Sequence, residues 1–359
     1  MNLSWPRFGK KSVMGLDIGS SSVKAVEVGL RGPDKGFDLK GLGVAQMPAE
    51  SIVQGAFLNA GAIVDSIREA VENGRIESKE VVAAVSGLSV IVKKVSLPTM
   101  SREELADQIQ WEAEQYIPFD VNEVNLDFQI LEDGSSDENM EVLLVAAKRD
   151  LIDDYVQVIS EAGLTPVAID VASFAVENAH ELNYAAEPEG VTALVNIGAQ
   201  VVNINVTQNG VPAFTRDITT GGSQYTEQIQ KALSISFDEA EKIKCGTSVG
   251  EDSQELVPQE VEHAIRSMTD GLVGEISRSL DFFTATSAES RIERVMLCGG
   301  GAQMSGFVNT FRERTGFEVD VLDPLARMVP NTRFDPEFLR QIAPSLGVSV
   351  GLAARRVQH

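Results

Sequence analysis

In Gly15-Leu16-Asp17-Ile18-Gly19-Ser20-Ser21-Ser22, a carboxylate at the end of an apolar run is followed at once by a Gly-Ser turn. Consecutive N–H groups in such a turn form a concave positive nest, and glycine lets a ligand approach the backbone, so the segment suits a phosphate. Gly19 and the hydroxyls of Ser20, Ser21 and Ser22 face that group, Lys24 adds charge from the return strand, and Asp17 stands where a magnesium ion (Mg2+) or its water shell bridges to the phosphates. The plain alternative is a hairpin whose turn amides are satisfied by its own hydroxyls. Two further segments bear on the choice. Gly198-Ala199-Gln200 repeats the turn in the second half, and Gly299-Gly300-Gly301-Ala302 is a strand-to-helix junction of the kind that accepts a flat ring or a phosphate against bare backbone. Three such turns in two halves imply a nucleotide in an interdomain cleft.

Other chemistry is thinly supplied. The histidines are His180, His263 and His359, and the cysteines Cys245 and Cys298 form no CxxC. HExxH, GxSxG and the P-loop pattern GxxxxGK[ST] are absent. Arg and Lys number 30 against 53 Asp and Glu, a net charge of -23, which disfavours direct contact with nucleic acid or an anionic membrane surface. No uninterrupted apolar window of about 18 residues predicts a membrane span or secretion signal, so a cytoplasmic location is expected.

The elements that must hold the turns read as strands alternating with helices, an α/β chain. Val13 to Gly19 and Val23 to Val28 form a hairpin, and Ala193 to Gly198 with Val201 to Val206 form a second, which suggests an internal duplication. Helical spacing appears at Ile63, Val64, Ile67 and Val71, at Ile152, Tyr155, Val156 and Ile159, at Tyr225, Ile229 and Leu233, and from Val261 to Phe283. Arg294 to Cys298 is a short strand running into the three glycines. Residues 1–11 read as a loose tail, and about 81–166 as an inserted β/α module, with Ser101-Arg102-Glu103-Glu104 as a capping box, a helix through about Tyr116 and a stop at Pro118. Its acidic run 132–138 reads as a solvated hairpin tip rather than a calcium loop. On the module's helix, Leu105, Ile109, Ala113 and Tyr116 fall on one stripe. Trp111 lies off it and needs a second surface, either a neighbouring loop or a partner.

Two phosphate hairpins and a late Gly-rich motif, in this order, resemble the actin-like ATPase superfamily. Trp111-Glu112-Ala113-Glu114-Gln115-Tyr116-Ile117-Pro118-Phe119, together with Gly15 to Lys24, is similar to the PilM family of type IV pilus assembly proteins over about residues 12–355. The resemblance implies a duplicated, two-lobed actin-like (ribonuclease H-like) α/β fold with an inserted subdomain of the 1C type found in FtsA. It implies residues 12–80 and 167–190 as the first lobe (1A), 81–166 as the insertion, and 191–359 as the second lobe (2A/2B), with the last residues returning to the first. It implies ATP with Mg2+ as cofactors, and Gly221, Gly222, Glu241 and Lys244 as further residues around ribose and adenine. It also implies a groove beside the module for the cytoplasmic N-terminal tail of the inner-membrane protein PilN, to which Trp111, Tyr116 and Phe119 are assigned.

Two departures from the superfamily pattern bear on turnover. The second hairpin has Asn196 where relatives carry an acid matching Asp17, and an amide brings no negative charge to a metal-bound water. Ala172 and Ser173 stand where relatives place a water-orienting Glu or Gln, leaving Asp170 or Glu177 to compensate. ATP binding with slow or absent hydrolysis is therefore expected, the alternative being an active FtsA-like ATPase or filament former.

Overall fold

The protein is described by a computed structural model covering residues 12–30, 37–131, 139–184, 190–245, 259–287 and 291–355. The tail 1–11 and the acidic tip 132–138 expected from the sequence lie outside them. Two sheets repeat one topology. The first runs Phe37–Gln46, Ser22–Leu30, Met14–Ile18, Glu80–Val85, Thr165–Val171, with Met328–Pro330 added beyond Phe37–Gln46. The second runs Val211–Ile218, Val202–Gln208, Val191–Ile197, Arg294–Cys298, Glu318–Val321. In both, three antiparallel strands are followed by two parallel ones. The duplication expected from the two hairpins thus extends to whole sheets.

Apolar faces of the helices cover these sheets. Helix Ala60–Gly74 begins at Asn59, whose side chain accepts the Ala62 N–H, and buries Ile63, Val64 and Ile67. Helix Arg149–Glu161 adds Tyr155, Val158 and Ile159 to the same core. Val156, expected on that face, is exposed, because the buried stripe is centred on the 155–158–159 edge and turns it outward. Over the second sheet lie Gly222–Leu233, Gln259–Thr286 and Phe307–Thr315, with Phe237–Lys244 packed on the first of these helices. Their Tyr225, Leu272, Ile276, Phe307 and Phe311 fill its core.

Helices Ala172–Tyr184 and Gly347–Ala354 pack on each other and sit between the sheets. Ala175, Val176, Val348 and Leu352 share one apolar cluster with Val82 and Ala84 of the first sheet and Leu194 and Met296 of the second. A buried polar contact joins the same layers: Asn205 donates from Nδ2 to Glu177 Oε2 at 2.6 Å.

The inserted module has its own small core. Strands Val90–Pro98, Asn139–Lys148 and Val124–Leu131 form an antiparallel sheet, with Asn139–Lys148 in the middle. Helix Arg102–Ala113 covers it through Leu105, Ile109 and Ala113, and starts with the expected capping box, Ser101 with Glu104. This sheet takes residues 90–98, 124–131 and 139–148 of the expected 81–166 stretch. Glu80–Val85 instead pairs in parallel with Met14–Ile18, and helix Arg149–Glu161 packs on the first-sheet core. The module's helix ends at Ala113 rather than Tyr116, which lies half-buried in the following turn.

Candidate functional site

The two hairpins close in the same way. Gly19 N–H donates to Ser22 O at 3.1 Å, and Gly198 N–H donates to Val201 O at 2.9 Å. Asp17 stands opposite Lys24 across the first strand pair, and Asn196 stands opposite Asn203 across the second. At the first pair of positions Lys24 Nζ lies 3.2 Å from Asp17 Oδ2. At the second, Asn196 Nδ2 donates to Asn203 Oδ1 at 3.0 Å. The turn of the first hairpin has half-buried Ser20 and Ser22 around exposed Ser21.

Backbone from two other segments gathers on the second turn. Gly222 N–H donates to Gly198 O at 3.0 Å and Ser223 N–H to Ala199 O at 2.8 Å, so the helix Gly222–Leu233 starts directly on the turn. A Cβ on Gly221 would lie 2.5 Å from Gly198 O, a distance side chains do not tolerate. Gly299 has φ +85°, and a Cβ there would meet Ile197 O at 2.4 Å. Gly301 packs on Ile197, whereas Gly300 is exposed. A ligand at this junction would therefore meet bare backbone at Gly300.

Lys244 ties the next helix to this cradle. Its Nζ donates to Glu241 Oε2 at 2.6 Å, Thr226 Oγ1 at 3.0 Å and Gly222 O at 3.3 Å, and Thr226 Oγ1 donates to Glu241 Oε2 at 2.5 Å. Gly198, Ala199, Gly221, Gly222, Glu241, Lys244, Gly299 and Gly301 are thus brought together. The first hairpin is close by: burial, and after it the charge of Asp17, pushes the Cys298 thiol above its ordinary range. Cys298 Sγ lies 3.7 Å from Asn196 Oδ1 of the second hairpin.

Gln200 is used differently from the sequence expectation. Its Nε2 donates to Ile52 O at 2.8 Å and its Oε1 accepts Gln54 N–H at 3.0 Å, so its amide joins the second turn to the first lobe's Ile52–Val53 and Ala56–Phe57 hairpin. The two carboxylates left to orient a water are also occupied. Arg355 lies 2.9 Å from Asp170 Oδ2, and Asp170 Oδ1 accepts Val171 N–H. Glu177 is buried and hydrogen-bonded to Asn205, and burial pushes its pKa up to about 8. Ala172 and Ser173 open the helix Ala172–Tyr184, and the Ser173 hydroxyl is buried without a partner.

Sequence reasoning missed Asn203, Asp217 and Thr226. Asn203 was accessible by analogy, since it follows Asn196 by the interval that separates Lys24 from Asp17. Thr226 stands one turn after Gly222 on the helix. Among the described residues, no cluster of three or more His, Cys, Asp and Glu side chains offers a ready metal cage, and no helix is long and apolar enough to cross a membrane.

The three aromatic residues assigned to a partner separate into two kinds. Trp111 is 74% exposed, so no loop among the described residues covers it. Tyr116 and Phe119 rest on the module core, with Lys93 Nζ 5.6 Å above the Tyr116 ring and Lys148 Nζ 4.7 Å above that of Phe119. Lys148 adjoins Ala147, which already belongs to the first-lobe core, so Phe119 marks the junction of module and lobe.

A family model described as type IV pilus assembly protein PilM matches residues 15–357. Among solved structures, a PilM-PilN type IV pilus biogenesis complex is 30% identical, covering 96% of this chain and 98% of that chain with a TM-score of 0.85. EutJ, an ethanolamine utilization protein from Carboxydothermus hydrogenoformans, is 16% identical, with 97% and 90% coverage and a TM-score of 0.57. MreB5 of Spiroplasma citri bound to ADP is 11% identical, with 95% of each chain covered and a TM-score of 0.52. Cell division protein FtsA of Bacillus subtilis (strain 168) is 25% identical over 253 residues, 64% of this chain, which spans 56% of the length of that relative.

Proposed function

We propose, for a chain that belongs to the PilM family of type IV pilus assembly proteins and has the actin-like fold, that it is an ATP-binding scaffold that docks the cytoplasmic N-terminal tail of a PilN partner and turns nucleotide over slowly or not at all. The observation that carries this reading is the pair of matched glycine turns, one in each half, of which only the first has a carboxylate at its strand end.

The residues fit ATP. Turn amides at Ser20 to Ser22 and at Ala199 and Gln200 supply donors to phosphates, Lys24 supplies positive charge, and the bare backbone at Gly300 with the Glu241–Lys244 pair suits the nucleoside. Bound magnesium would neutralise phosphate charge, and Asp17 would accept hydrogen bonds from its water shell. Asn196 adds an amide but no charge. Asp170 is held by Arg355 and Glu177 by Asn205, so neither is free to orient an attacking water. Phosphoryl transfer depends on such positioning and charge, and losing both costs orders of magnitude in rate. ATP then acts by stabilising the closed arrangement of the lobes, where Gln200 reaches across to Ile52 and Gln54.

Docking is supported by the exposed Trp111 and by Phe119 at the module–lobe junction, since aromatic anchors carry much of an interface's energy. The protein would sit on the cytoplasmic side of the inner membrane, held there through its partner. Fluorescence anisotropy of a labelled PilN-tail peptide tests this. Binding by the full chain that falls roughly tenfold or more in Phe119→Ala and Trp111→Ala is expected. Equal binding by all three proteins would remove the module from the docking site.

A further inference from the structure

A run of amides and one carboxylate leads away from the second hairpin and ends outside its lobe. Asn196 Nδ2 donates to Asn203 Oδ1 at 3.0 Å, Asn203 Nδ2 donates to Asp217 Oδ1 at 2.8 Å, and the Gly87 backbone N–H donates to Asp217 Oδ2 at 2.5 Å. The three side chains face one another on adjacent strands, Asn196 opposite Asn203 and Asn203 opposite Asp217. Gly87 belongs to the other half of the molecule. Its carbonyl accepts Val90 N–H, at the first residue of the module's strand Val90–Pro98, and Ser89 O accepts Lys148 N–H, at the end of the module's central strand. The strand Val211–Ile218, which carries Asp217, packs beside Val90–Pro98.

Each link fixes the next. Asn203 is 4% exposed and has one acceptor and one donor group; with the Asn196 NH2 on its oxygen, its own NH2 is aimed at Asp217. Asp217 in turn receives two donors, one from each half of the protein, and a carboxylate has two oxygens to accept both. An amide at 217 would set a donor against a donor. The run therefore has a direction, from the turn at Asn196 to the entrance of the module.

Building on the reading that ATP phosphates lie at this turn, we infer that Asn196, Asn203 and Asp217 form a relay that couples nucleotide occupancy to the position of the inserted module. A ligand that takes the Asn196 NH2 removes the donor that holds Asn203, and the Asp217 contact to Gly87 changes with it. The linkage is reciprocal: a tail peptide that displaces the Gly87 turn alters nucleotide affinity by the same factor.

The test is deuterium uptake of amides 88–98 and 139–148 in the full chain, with and without Mg-ATP, beside a titration that measures nucleotide affinity. Wild-type protein is expected to change its uptake in these strands when nucleotide binds. Asp217→Asn is expected to hold nucleotide within about threefold of wild type and to lose that change. Asn203→Ser, which leaves the Asp217–Gly87 contact in place, is expected to lose it as well and serves if Asp217→Asn does not fold. Variants that respond like wild type overturn the relay, as does a wild-type module that stays unchanged while nucleotide binds. A titration with no nucleotide binding overturns the functional reading itself, and the relay with it.

Discussion

In the first hairpin Asp17 faces Lys24, and in the second Asn196 faces Asn203 at equivalent places, with each turn closed by a glycine N–H on the carbonyl three residues ahead. The two halves share the turn's backbone geometry, and only the first carries charge at these positions. Turn amides are enough to cradle a phosphate, whereas ordering a metal's water shell and polarising a nucleophile need negative charge. On the function proposed above, two such turns with a carboxylate on the first alone would hold ATP more readily than cleave it. The amide pair also gains something the ion pair lacks, a further partner in Asp217.

The largest effect separating the two halves is expected at the second turn's scaffold. Gly299→Ala puts a side chain at φ +85° and into Ile197 O, and should lower stability by about 2–4 kcal/mol in denaturant unfolding, with nucleotide binding lost alongside. Next comes the carboxylate: Asp17→Ala should weaken Mg-ATP by roughly 10- to 100-fold in calorimetry, and Asn196→Ala by much less. Equal losses would mean that the halves do not differ in the way their side chains suggest. Asn196→Asp with Asn203→Lys copies the first hairpin's pair into the second, and phosphate release is expected to rise roughly tenfold or more. Asn196→Asp alone should do worse, because it sets a carboxylate against Asn203 Oδ1.

The smallest expected effect concerns the layer between the halves. Burial holds Glu177 protonated up to about pH 8, assisted by repulsion from Glu181 and Asp170, while the unfolded chain gives up that proton near the ordinary carboxylate value. The folded state therefore binds more protons between those limits, and this group's contribution to stability falls as pH rises from about 5 to 8. Glu177→Gln should flatten that part of the stability profile, by no more than about 1.4 kcal/mol per pH unit. An unchanged slope would show that Glu177 is ionised in the folded protein.

Features set by near neighbours in sequence were legible. The hairpins, the Gly299–Gly301 junction, the Ser101–Glu104 cap and the long helix Gln259–Thr286 all follow from local periodicity and turn chemistry. What pairs across the fold was not. Glu80–Val85 reads as part of the module until its pairing with Met14–Ile18 is seen, because a short apolar strand does not say which sheet receives it. Gln200 looks like a turn residue, yet both ends of its amide are satisfied about 150 residues away in sequence. Asp217 carries no motif at all, and its partner Gly87 stands 130 positions earlier.

Titration of Mg-ATP into nucleotide-free protein in a calorimeter, with phosphate release followed over hours in the same sample, tests the two-hairpin account most directly. Saturable binding with phosphate release too slow to register within one hour is the predicted result. Sustained release at the rate of an active ATPase, abolished by Asp17→Ala, would contradict it, because the uncharged second hairpin would then suffice for catalysis.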